Sequence, residues 1–247
     1  MSTVDKALRV LDLFSENAPN LGLSEIARQL GWDKSNVQRY LSDLTRNGLL
    51  EQSTKDKTYY LGPSLVRLAR LRELTHPVAR VVHAALEELT DITGETTHCS
   101  TLVGGRLMNM GIVETRINGT RVYIDPTEAL PFHASASGIA YLTAVPEAQA
   151  VKLLGNKLDA FTPQTETRVD RILELVGEAK QRGYARSAGT FESDVVGIAA
   201  PIRGFRNEAI GAISVATPQA RFSDTAEADM CKPLMDIAAR VSRSYGA

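Results

Sequence analysis

Cysteine is scarce in this 247-residue chain. Cys99 and Cys231 are its two thiols, too few for a disulfide framework, so a reducing compartment, the cytoplasm, is expected. Histidine is scarce as well: His83, the His98-Cys99 pair and His133 match no standard zinc spacing, and neither a metal nor another cofactor is expected. Long apolar runs are missing, because Arg and Lys interrupt every candidate, and this excludes a membrane-spanning helix. The opening Met1-Ser-Thr-Val-Asp-Lys6 has no apolar signal-peptide core. An excess of either charge is missing too. A formal net charge of −1 excludes a generic polycation that coats nucleic acid. By count the first 75 residues are slightly basic and the rest slightly acidic, which is compatible with local DNA contact. A Gly-x-Ser-x-Gly elbow, a phosphate loop and a dinucleotide fingerprint are all absent.

What is present reads as an ordinary globular protein, 43% hydrophobic, with room for two domains. The most informative stretch is Leu23 to Leu41. Leu23, Ile26, Ala27 and Leu30 fall on one face of a helix; Val37, Tyr40, Leu41 and Leu44 fall on one face of the next. Gly31 ends the first, and Asp33 is placed to cap the second. Lys34, Ser35, Asn36, Gln38, Arg39 and Ser42 are left facing outward, side chains that reach phosphates and base edges in a major groove. A solvated polar helix face would look similar, but what flanks it favours a DNA reader. Asn47-Gly48 stops the second helix, and Leu49 to Leu61 reads as a strand, a polar tip and a return strand. A hairpin straight after a helix-turn-helix is a wing, with Lys55 and Lys57 set against the phosphate backbone.

Before this pair, residues 4–15 form an amphipathic helix with Val4, Leu8, Leu11 and Phe14 inward. After it, Ser64 to Thr75 is a linker helix whose Leu65, Leu68, Leu71 and Leu74 would be exposed without a second copy. His76-Pro77 marks a boundary, giving residues 1–62 as winged helix, 63–76 as linker and 77–247 as a second domain. That domain opens with helix 78–93, with Val81, Val82, Ala85, Leu86 and Leu89 inward. Strands follow over 96–103, 106–113, 121–125, 184–188, 195–202 and 209–216, and helices over 137–144, 147–154, 168–183 and 224–245. The fold class is α+β, a central antiparallel sheet with helices on its faces.

Two features of this half point to a small-molecule site. The segment Pro131-Phe-His133-Ala-Ser135-Ala136-Ser137 opens a helix with small residues and free N–H groups, a seat for a carboxylate, although capping by Ser135 or Ser137 alone would leave the same pattern. Ser214, on an apolar strand, faces it as a wall donor or serves as a small core residue. Met108 and Met110 alternate on one strand face, as core filling or as an adaptable pocket lining. An enzyme is the alternative class: Cys99 with His98 or His133, or Ser135 with His133, supplies a nucleophile and base in name. Neighbours in sequence seldom have the geometry such a pair needs.

The order winged helix, linker helix and α+β domain resembles the IclR family of bacterial transcriptional regulators. The matching residues are Lys6-Ala-Leu-Arg-Val-Leu11, Leu23-Ser-Glu-Ile-Ala27, Ser35 with Arg39-Tyr-Leu41, Gly48-Leu49, Tyr60-Leu-Gly62, Leu130-Pro-Phe-His-Ala-Ser135 with Gly138, Gly183-Tyr-Ala185, Ile198-Ala-Ala-Pro-Ile202 and Ile213-Ser-Val215. The resemblance implies a homodimer or homotetramer on operator DNA, with a GAF-like C-terminal domain binding a small organic effector, carboxylate-bearing in many relatives. It implies a repressor of a catabolic operon, and no enzyme. By position it adds Ser187 and Gly197 to the effector site and favours the pocket over plain capping at Ser135–Ser137. Three departures stand out: Ile139 in place of the usual Lys, Arg186-Ser-Ala-Gly-Thr190 in place of acids, and Gly197 in place of Cys or Ser. The effector is therefore expected to be bulkier or differently charged than the smallest keto acids.

Overall fold

The first helix starts at a capping box. Ser2 Oγ accepts the Asp5 N–H, and the Asp5 carboxylate accepts the Ser2 N–H, ahead of α1 (Thr3–Leu11). Its inward face is Val10 with Ala7 and Leu11; the helix ends at Leu11, short of the expected residue 15, and Phe14 packs on the same core from the turn beyond it. Val4 and Leu8, expected inward, are 67% and 51% exposed instead. The buried stripe is therefore shifted to the Val10 side, where α1 meets the helix pair. α2 (Leu23–Leu30) ends at Gly31 in a left-handed conformation (φ +66°), and the Trp32 N–H returns to Ala27 O. α3 (Lys34–Arg46) follows. Asp33 occupies its N-cap position but makes no side-chain capping bond. β1 (Leu50–Gln52) and β2 (Tyr59–Leu61) form the antiparallel wing, and Leu21 bridges Tyr59. Gly62 closes the wing's base: a Cβ there would lie 2.3 Å from Gly48 O. α4 (Pro63–Thr75) leaves that base as a helix of its own.

The computed structural model describes residues 2–15, 17–75 and 78–246, and its chain divides into two compact units, Met1–Pro77 and Val78–Ala247. The second unit is built on a six-stranded antiparallel sheet in the order β5-β4-β3-β8-β7-β6. These are β3 (Thr96–Val103), β4 (Arg106–Val113), β5 (Ala129–Leu130), β6 (Ala185–Ala188), β7 (Val195–Arg203) and β8 (Ala209–Pro218). Alternation along the central strands sends side chains to two different layers. Ile198, Ala200, Ile202, Ile213, Val215 and Cys99 meet α5 (Val78–Thr93) and α9 (Asp224–Ser244). Ala199 and Ala212 meet α6 (Ala136–Thr143), backed by α7 (Glu147–Leu154) and α8 (Val169–Arg182). Of the residues expected inward on α5, Val82, Ala85, Leu86 and Leu89 are buried, while Val81 is 43% exposed.

The α6 side of the sheet is lined by small residues, and α6 itself is buried along its whole length. Gly138 is what lets it start there, since a Cβ would stand 2.4 Å from Pro131 O and 2.5 Å from Phe132 Cα. The expected strand over 121–125 is not formed. Its buried Val122 gives the alternation, but the Val122 carbonyl accepts from Thr96 Oγ1 instead of joining a ladder, and just before the segment Arg221 Nη1 donates to Thr120 O. Arg221 also forks onto the buried Glu95 at 2.9 and 2.7 Å, which pins this loop to the sheet end.

Candidate DNA-reading surface and effector pocket

Helix α3 buries Val37, Tyr40, Leu41 and Leu44 and exposes Lys34, Ser35, Asn36, Gln38, Arg39 and Ser42. Ser35, Gln38, Arg39 and Ser42 follow the i, i+3, i+4, i+7 pattern and so share one face. The Arg39 guanidinium lies over the Tyr40 ring, 5.3 Å from its centroid, with Nη2 donating to Tyr40 OH at 3.3 Å. Behind it Trp32 meets Tyr40 edge-on, centroids 5.9 Å apart. Gln38 Nε2 is 3.4 Å from both Ser42 Oγ and Tyr59 OH, which ties the helix's outer face to the wing. Lys55 and Lys57 are exposed at the wing tip; Lys57 turns the chain at φ +62° and donates its N–H to Ser53 O. Arg46 is drawn to Asp43 at 2.6 Å, which removes it as a free cation.

In the second unit a small cavity of about 50 Å³ opens between the start of α6 and the sheet. Ser137 and Ser214 meet across it, Oγ to Oγ at 2.5 Å, and His98 Nε2 lies 3.0 Å from Ser137 Oγ. Register explains the trio: His98 on β3 pairs directly with Ser214 on β8, so both side chains leave the same face. Burial pulls the His98 pKa down to about 4, so the ring is neutral at pH 7. Its Nδ1 is buried without a partner among the described residues. Ser187 and Gly197 are cross-strand partners on β6 and β7 and line the cavity with Ser135 and Ala136. Phe191 and Glu192 stand at its rim. Glu192 is exposed over much of its surface, yet its carboxyl is held above the usual range by desolvation, with Glu128 and Asp194 adding repulsion.

Two of the three N–H donors in the first turn of α6 are already engaged. Ala136 N–H donates to Ser187 Oγ at 3.1 Å, and Gly138 N–H to Ser135 Oγ at 3.0 Å, while Ser135 Oγ donates to Pro131 O at 2.8 Å. Capping and pocket lining therefore coexist in Ser135. No Lys or Arg is found among the described residues lining the cavity. The carboxylate seat expected from the sequence thus has two of its N–H groups taken up from within.

Three expected site residues lie elsewhere. His133 turns away from the cavity: its Nε2 meets Asp159 O at 2.9 Å and its ring packs on Phe161. Met108 and Met110 are outside the lining, and Met110 Sδ takes a bond from Tyr245 OH at the end of α9. In return the cavity uses residues the sequence did not single out for it, His98, Phe191 and Glu192. The alternation of β3 against β8 was the available signal for His98.

The nucleophile–base pairs do not assemble. Cys99 faces the opposite, apolar layer, where burial pushes its thiol up to about 12. The Ser137–His98 pair resembles one, but an imidazole near 4 is a poor base and no group orients its Nδ1. A wider, open groove of about 1080 Å³ between α5 and residues 112–121 is lined by charged and polar groups such as His83, Glu87, Asp91 and Arg116, and holds none of the expected site residues.

Residues 3–54 match the model for the IclR helix-turn-helix domain, and residues 74–243 match that for the bacterial transcriptional regulator IclR C-terminal domain. A crystal structure of an IclR-type transcriptional regulator from Silicibacter sp. TM1040 is 34% identical, with a TM-score of 0.94, covering 100% of this chain and 97% of that one. The HTH-type transcriptional regulator XynR of Escherichia coli K12 is 28% identical over 100% of this chain and 98% of its own length. An IclR homologue from Microbacterium hydrocarbonoxydans, solved in complex with 4-hydroxybenzoate, is 23% identical with a TM-score of 0.78 and covers 99% of each chain.

Proposed function

Because the chain belongs to the IclR family of bacterial transcriptional regulators, we propose that it represses a small catabolic operon and releases it in response to one metabolite. The labour divides into residues 1–62 for DNA, 63–76 for joining two copies and 77–247 for effector binding and assembly as a homodimer or homotetramer in the cytoplasm. Two copies would set α3 into successive major grooves, with Arg39 and Gln38 toward base edges and Lys55 and Lys57 toward phosphates. The observation that carries this is the division of α3 into a buried apolar stripe and an exposed polar one beside a basic wing tip. The exposed Val66, Leu68, Leu71 and Leu74 on α4 support pairing of copies. The His98–Ser137–Ser214 cavity is the effector site, and the effector leaves it unchanged, so the protein acts as a sensor and not as an enzyme.

Regulation then requires that the effector bind the DNA-competent and released states with different affinity. A gel shift with the DNA upstream of the protein's own gene tests the reader. Arg39→Ala is expected to weaken binding tenfold or more, on the order of the 1–3 kcal/mol of one good base contact, with unchanged circular dichroism. Retained affinity would remove Arg39 from the interface. Ser214→Leu, which fills the cavity, is expected to bind DNA and ignore effector; a normal response would move the sensor elsewhere.

A further inference from the structure

The cavity's own chemistry narrows what it can hold, on the premise that it is the effector site. A carboxylate is held best by several N–H donors or a cation. Of the three N–H groups in the first turn of α6, those of Ala136 and Gly138 are spent on Ser187 and Ser135, and no Lys or Arg lines the wall among the described residues. The charge that is present has the opposite sign. Glu192 lies at the rim, and the charged groups acting on it are Glu128 and Asp194, with no cation among them. Both are near enough to repel its charge. Beside it Phe191 presents a ring braced edge-on by Phe161, centroids 5.0 Å apart. A carboxylate beside an aromatic ring is the setting that proteins use for an ammonium group. At the inner end, Ser137, Ser214 and the neutral, buried His98, with its Nδ1 unpartnered, offer hydrogen bonds to an uncharged polar group.

We propose that this pocket selects a small amine carrying a hydroxyl or similar polar group, with its ammonium at Glu192 and Phe191 and its polar end at the Ser137–Ser214–His98 trio. The ammonium would offset the repulsion that Glu192 feels from Glu128 and Asp194. A carboxylate would add to that repulsion, so the same residues that attract the amine exclude the acid.

Three probes that share a hydroxymethyl group and differ in the charge of the other end separate the possibilities: ethanolamine, ethylene glycol and glycolate. Each is titrated into the full-length protein in an amine-free phosphate buffer and followed by thermal shift and calorimetry. Ethanolamine is expected to raise the melting temperature and glycolate to leave it unchanged. Glu192→Gln, a rim substitution that leaves the core intact, should weaken ethanolamine by about tenfold or more. Ser187→Ala, which frees the Ala136 N–H, should bring glycolate binding up. If glycolate binds and ethanolamine does not, the ligand class is wrong while the pocket stands. If ethanolamine binds equally to wild type and to Glu192→Gln, the assigned role of Glu192 is wrong. If Ser214→Leu keeps the wild-type response to whichever probe binds, the site itself is misplaced. Silence from all three probes overturns the proposal.

Discussion

His98 supplies a prediction that can be read directly. Its ordinary pKa of 6.5 falls to about 4 because the charged ring would be buried with no anion to meet it. In the unfolded chain the ring takes up a proton as pH drops through 6.5, while in the folded protein it stays neutral until about 4. The folded state therefore binds fewer protons across that window, and stability falls with acidification. The contribution is fully present above pH 6.5 and is lost as pH falls toward 4. The gap corresponds to roughly 3 kcal/mol, lost at about 1.4 kcal/mol per pH unit. His98→Asn keeps a polar side chain of similar reach without the titration. Against this variant, wild type should lose about 3 kcal/mol more stability between pH 7 and pH 4, a comparison in which the carboxylates cancel. NMR is the cleaner assay, since the chain has only four imidazoles. One should titrate near pH 4 and vanish in His98→Asn. Four ordinary titrations near pH 6 to 7 would refute the buried, cation-free setting of His98 and the trio built on it.

Other outcomes follow from the same geometry. The double variant Lys55→Ala/Lys57→Ala should bind operator more weakly and flatten the dependence of log K on log salt by about 2, one phosphate for each lysine; an unchanged slope in fluorescence titrations would detach the wing tip from the backbone. Gly138→Ala should destabilise by roughly 1–3 kcal/mol, because its methyl group meets backbone at 2.4 Å. Gly177→Ala, exposed on α8 with nothing within 4 Å, should stabilise by about 1 kcal/mol. Melting temperatures moving in the same direction for both would contradict the close approach of α6 to the 131–132 segment.

Much of the fold is legible in the sequence because its breaks are local. Gly31 and Gly183 occupy left-handed positions that most side chains avoid, so they end helices wherever they stand. The strands of the central sheet announce themselves by alternation. The 121–125 segment misleads for the same reason: Val122 is buried as in a strand, while its carbonyl is satisfied by Thr96 from a distance that no local pattern encodes. β5 is two residues long and carries almost no periodic signal. At the pocket, Ser135, Ser137 and Ser214 are visible as small polar residues in apolar settings, and Ser187 and Gly197 through family resemblance. His133 fails because nothing in a tight segment reveals which side its ring leaves; it goes to Asp159 O. His98 is passed over because its meaning depends on register with a strand more than a hundred residues away.

Trp32 is the sole tryptophan of the chain, and it rests on the aromatic ring directly beneath Arg39. The molecule therefore carries one indole lamp, set behind the surface that meets DNA, with none in the effector-binding unit to blur it. Its emission reports on the N-terminal unit, at the junction of α2 and α3. Operator titrations need no label, and unfolding of the DNA-reading unit can be watched by fluorescence while circular dichroism follows the whole chain. An effector that changes this emission without DNA present would reveal, in a single cuvette, that the signal has crossed from one unit to the other.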